Sequence, residues 1–194
     1  MPKGNIPIKI DYASLIPKKN IKKSKKIAFS ALFSALGVVL MYLGSASGVL
    51  DISMACIASM LCIITVSEIG GAYPWLVFAV TGGLSVLILP EKFAAVLYVC
   101  FAGYYPMLKC VFERFRSRTL EWLSKLFTFN ASLAVMLFAA VFLISAQGYT
   151  KPIVIGLVLL GNFTFVIYDT ALSMLLRLYF LKYRKLLGID KIFK

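Results

Sequence analysis

The chain has 194 residues, of which 61% are hydrophobic and only 15% charged, and its mean hydropathy is +0.89. That composition excludes an ordinary soluble domain and predicts an integral membrane protein. A formal net charge of +13 would point a soluble chain toward nucleic acid, but the placement of the charge argues for a lipid partner and against a nucleic-acid one.

Residues 1–26 form a basic tail that holds eight lysines, Lys3 to Lys26. Such a tail is a topology signal and a contact for anionic lipid. It is not expected to be a cleaved secretory leader, because the apolar segment behind it is too long and shows no cleavage site. The membrane domain is expected over 27–181, followed by a second basic tail over 182–194. Within it, apolar runs broken by Gly, Pro and polar clusters predict an all-α bundle of six transmembrane helices: 27–46, 50–68, 71–89, 93–109, 130–147 and 152–177.

The first helix opens with "AFSALFSALG" over residues 28–37, a run with a small side chain at nearly every turn. Ala28, Ala31 and Ala35 share one stripe, and small residues four apart are the signature of a close helix–helix contact, within the chain or with a partner. The second helix carries Cys56 and Cys62, and Cys100 and Cys110 lie on or next to the fourth; without CxxC spacing they read as small apolar fillers. In the third helix, Gly82 and Gly83 permit either close packing or a ligand against bare backbone. At the end of the fourth, Pro106 in "GYYPMLK" predicts a kink or a stop, with Tyr104 and Tyr105 as interfacial anchors.

Between the fourth and fifth helices, Phe112, Phe115, Trp122, Leu123 and Leu126 alternate with Arg114, Arg118, Glu121 and Lys125 in a helical rhythm. The pattern predicts an amphipathic helix around 110–128 lying in the inner interface, or docking a cytoplasmic partner. In the sixth helix, Asn162 is placed near the bilayer midplane, where it must meet another helix or a bound solute. Asp169 falls nearer the inner interface, where pairing with a Lys or Arg competes with a coupling role.

Nineteen of the twenty-one Lys and Arg residues fall on one side of this arrangement, and only Lys92 and Lys151 on the other. The positive-inside rule then puts both termini in the cytoplasm. The chain contains no histidine and only eight acids, so His-dependent nucleophilic or zinc chemistry is excluded and no catalytic residue, metal site or cofactor is expected. The outer side instead gathers Tyr42, Ser45, Asp51, Ser85, Glu91, Lys92, Tyr98, Gln147 and Lys151. With Asn162 these are the candidates for a solute pocket, or else ordinary loop and packing residues.

Taken together, the length, the six helices with both ends inside, the basic start and the AxxxA register of Ala31 and Ala35 resemble the S components of energy-coupling factor (ECF) transporters. The resemblance covers residues 25 to about 185 and implies a substrate-binding membrane subunit of a prokaryotic plasma membrane. It would capture a vitamin or other small-molecule micronutrient at the outer face. It would dock through Ala28, Ala31 and Ala35 on a transmembrane coupling (T) subunit, itself driven by two ATPase subunits. The segment "GSASGVLD" would then act as a lid with Asp51 its acid. The alternative is a scaffold of cell-envelope or cell-shape machinery, similar to MreD. A polar-lined outer cavity would favour transport, and a dry bundle the scaffold.

Overall fold

A computed structural model of the chain describes residues 22–115, 117–144 and 151–179. It is all-helical among those residues, with six helices: α1 (Lys23–Ser47), α2 (Asp51–Glu68), α3 (Tyr73–Ile88), α4 (Lys92–Phe112), α5 (Arg118–Ile144) and α6 (Lys151–Leu178). Four segments, Lys23–Ser47, Asp51–Glu68, Lys92–Phe112 and Val154–Leu178, are long and apolar enough to cross a membrane, and α3 is a shorter apolar helix. The outward faces of α1 and α6 are themselves apolar, with Leu32, Val39, Leu159 and Phe163 exposed, which is the surface of a membrane protein and not of a soluble one.

Short connections make successive helices antiparallel, and side-chain contacts confirm which ends meet. The Lys26 ammonium lies over the Tyr73 ring, joining the starts of α1 and α3, while Ser45 at the end of α1 bonds the backbone of Glu91 just before α4. The first of these ends, which also holds the ends of α2, α4 and α6, is called the basic end below.

The helices α1, α2 and α3 pack closely because α1 turns a seam of small residues inward: Ser30, Ser34, Gly37 and Gly44 are all buried, with Met41 between them. Ser30 and Ser34 donate to carbonyls four residues back, so their hydroxyls are satisfied without separating the helices. At Gly44 any Cβ would come within 2.6 Å of Met54 Cβ. Gly48, with φ at 66°, then ends the helix in the left-handed conformation that glycine tolerates best.

The fourth helix is broken in the middle. An α-helical turn over Lys92–Leu97 widens to a π-helical one over Tyr98–Ala102, and a second α-helical stretch runs from Tyr105 to Phe112. Pro106 is the cause at the sequence level, since it has no N–H to offer Ala102. The chain compensates with a bond spanning five residues, from Gly103 N–H to Tyr98 O, and one spanning three, from Met107 N–H to Tyr104 O. Gly103 has no freedom in this arrangement, because a Cβ there would lie 2.5 Å from Phe78 of α3.

Two expectations are corrected here. The amphipathic helix expected around 110–128 does not form as a separate element: residues up to Phe112 end α4, and 118–128 belong to the next helix. They form the first turns of α5, continuous to Ile144, and Glu121 and Lys125 are turned into the bundle and buried. Nor do Tyr104 and Tyr105 anchor an interface: Tyr105 is fully buried, and Tyr104 bonds Ser132 of α5.

Candidate functional site: an apolar cavity above a buried ion cluster

Helices α4, α5 and α6 are joined at the basic end by a cluster of buried charges. Lys109 of α4 pairs with Asp169 Oδ1 of α6, and its Nζ lies 2.9 Å from Glu113 Oε1 and 3.2 Å from the carbonyl of Asp169. Lys125 of α5 reaches the other oxygen of the same carboxylate, Asp169 Oδ2, at 3.1 Å, and Glu121 Oε1 at 3.0 Å. Tyr105 donates to Asp169 Oδ1 at 2.6 Å. One carboxylate thus ties three helices together, with both oxygens engaged. Burial of so many charges is tolerable only because each has an opposite partner at contact distance.

Above Tyr105 the chemistry changes. Its ring packs on Phe101 and Phe165, and Phe101 in turn meets Phe129 and Tyr168, while Phe129 and Phe165 stack with centroids 4.8 Å apart. This aromatic layer is the floor of an open-mouthed cavity of about 380 Å³ bounded by α2, α4, α5 and α6. Its wall includes Ile52 and Cys56 of α2, Phe93 and Leu97 of α4, Ser132, Leu133 and Met136 of α5, and Leu157, Gly161 and Thr164 of α6. The volume lies within the range of small-molecule sites. Ile52, Phe93, Leu157 and Leu160 line it and are exposed, so it opens at the end opposite the ion cluster and toward the outer side of α6.

Among the described residues, none of the outer polar candidates lines this cavity. Ser45 is buried and exchanges two hydrogen bonds with the backbone of Glu91. Ser85, also buried, lies 3.3 Å from Met41 Sδ. Lys92 covers the end of α3, donating to the carbonyls of Val86 and Leu89 at 2.8 Å each, a cation at a helix C-terminus as the helix dipole favours. Tyr98 is fully buried, with its hydroxyl 3.2 Å from Cys62 Sγ. Tyr42 and Glu91 are exposed. Asp51 lies in the first turn of α2, where the dipole favours a carboxylate, and its Oδ1 is buried without a hydrogen-bond partner among the described residues. Gln147 lies outside the described residues, as does the side chain of Lys151, the first residue of α6.

Asn162 meets another helix. Its amide and that of Asn130 on α5 exchange two hydrogen bonds, at 3.0 and 3.1 Å, and each also donates to a carbonyl four residues back. Of the two glycines of α3, Gly82 is the packed one, with Val99 3.0 Å from any Cβ, while Gly83 meets nothing within 4 Å. Ala28, Ala31 and Ala35 are all exposed, so the described helices leave their stripe uncovered while burying the serine–glycine seam next to it.

The cavity has no local signature in the sequence; the nearest was the run of Phe101, Phe129 and Phe165 on three different helices. The basic residues of the ion cluster were visible, but only as inner-side charges, with Lys125 on the polar side of the expected amphipathic helix. Comparison of the chain with protein-family models, with curated proteins and with solved structures finds no match in any of the three.

Proposed function

We propose that the chain is the membrane-embedded substrate-binding subunit of an ECF-type uptake transporter, crossing a prokaryotic plasma membrane six times with both termini in the cytoplasm. The observation that carries this reading is the cavity: a bundle that serves only as a scaffold has no need of an internal space of about 380 Å³. Its mouth lies away from the basic end, on the outer side if the positive charges stay inside. Beneath it, the cluster of Lys109, Lys125 and Asp169 holds α4, α5 and α6 together. That arrangement suits a solute captured outside and released only when the whole subunit reorients.

The exposed stripe of Ala28, Ala31 and Ala35 supplies a smooth surface for the T subunit. ATP hydrolysis falls to separate ATPase subunits. The test is to replace Ala31 or Ala35 with Trp. Because both side chains are exposed, the expected result is an unchanged melting temperature and unchanged solute binding, with uptake lost and the coupling and ATPase subunits no longer co-purifying. Normal uptake and co-purification by these variants would remove the docking role and the reading with it.

A further inference from the structure

The walls of the cavity restrict what it can hold. Among the described residues no acid or base lines the cavity, so a charged solute would meet no counter-ion on these walls, at a cost that burial makes large. The hydroxyls among the lining residues are Ser132, Thr164 and Tyr168, and each has its proton committed elsewhere. Ser132 donates to Thr128 O at 2.8 Å, so in its 2.5 Å contact with the Tyr104 hydroxyl it is the acceptor. Ser59 donates to Cys56 O at 2.6 Å, which makes Tyr168 the donor in the Ser59–Tyr168 bond. Thr164 donates to Leu160 O at 2.9 Å. What remains on the wall is acceptor capacity and the weak donor of the Cys56 thiol. Carboxylate, phosphate and sulfonate groups all need strong donors and find none here.

We infer that the cavity takes an uncharged lipophile whose polar group, if it has one, is a hydroxyl that donates to the wall, as in a medium-chain or isoprenoid alcohol. The inference rests on the reading of the chain as a solute-binding subunit and sets its substrate class. Entry is through the same outer-end mouth, reached from the outer leaflet past Leu157 and Leu160, which are both exposed.

The full chain in phosphatidylcholine nanodiscs provides the test, with the fluorescence of 1-aminoanthracene reporting occupancy. The expected result is one saturable site per chain, displaced by decan-1-ol, with decanoate and decylammonium weaker by at least about tenfold. Leu133→Trp and Met136→Trp, which fill the cavity from α5, abolish the saturable signal. Thr164→Val, close in size to the native residue, removes one acceptor and narrows the preference for decan-1-ol over decane by about threefold. Displacement by decanoate as strong as by decan-1-ol would overturn the substrate class and leave a solute-binding subunit standing. A signal that does not saturate, or that survives both tryptophan variants, would show ordinary lipid chains filling the space and would overturn the inference. The transporter reading is then still decided by ATPase co-purification, which does not depend on the ligand.

Discussion

The two ends of the α4–α5–α6 group are built from opposite chemistries on the same three helices. At the basic end, Lys109, Lys125 and Asp169 fill the space between helices with charge. One aromatic layer away, the same helices leave a cavity with no charged wall residue among those described. Electrostatic attraction fixes geometry tightly, whereas apolar walls set only volume, so the ion cluster acts as the fixed end and the cavity as the adaptable one. Tyr105 belongs to both, with its hydroxyl on Asp169 and its ring on Phe101 and Phe165.

The largest effect is expected from unbalancing the fixed end. Lys109→Met leaves Asp169 and Glu113 sharing Lys125 in a buried site, and removing one partner of a buried pair costs about 3–5 kcal/mol. Combining it with Asp169→Leu removes the orphaned charge, and the double variant should recover much of the loss. Unfolding of these two variants and of Asp169→Leu alone in mixed detergent micelles measures the coupling. If the two single losses simply add, Lys109 and Asp169 are not coupled and the fixed end has another origin.

Placement of the helices was legible because it depends on local signals: apolar runs, and breaks at Gly, Pro and charge. The partners of buried polar groups were not, because they arrive from distant parts of the chain. Glu121 and Lys125, four residues apart, look like a solvated face of an amphipathic helix. They are buried only because Lys109 and Asp169 come to the same place from α4 and α6. On α1 the sequence shows two small-residue stripes of equal quality. Which one packs inward was decided by Thr81 and Met54 on other helices, against Gly37 and Gly44. The cavity was invisible for a further reason: it is missing side-chain volume among four helices, and no residue in it is unusual by itself. The outer polar residues were grouped by depth alone, and depth does not tell a side chain that lines a cavity from one that satisfies backbone groups, as those of Ser45 and Lys92 do.

A middle-sized effect is expected at the joint between the two regions. Gly103→Ala would put a Cβ 2.5 Å from Phe78 and 2.7 Å from Tyr98, and overpacking of this kind costs about 1–3 kcal/mol. Gly83→Ala is the control: nothing lies within 4 Å, and removing a glycine from a helix interior gains about 0.5–1 kcal/mol. Thermal melts of the pair should therefore move in opposite directions. Equal shifts would mean that α3 and α4 yield easily at Gly103, and that the break in α4 does not hold Phe78 in place.

The smallest effect belongs to the amide pair between α5 and α6. Asn130 and Asn162 exchange two hydrogen bonds, yet in a membrane a bond between helices is worth only about 0.6 kcal/mol on average, because each amide finds other partners when the pair is broken. Here those partners are already engaged, the carbonyls of Leu126 and Val158. A double-mutant cycle with Asn130→Ala and Asn162→Ala should give a coupling near that value, with the decan-1-ol site intact in all three variants. No coupling, together with loss of decan-1-ol binding in Asn162→Ala alone, would instead place Asn162 in contact with the solute. The adaptable region would then extend beyond the walls of the cavity, and the donor-free character assigned to it would fail at that one residue.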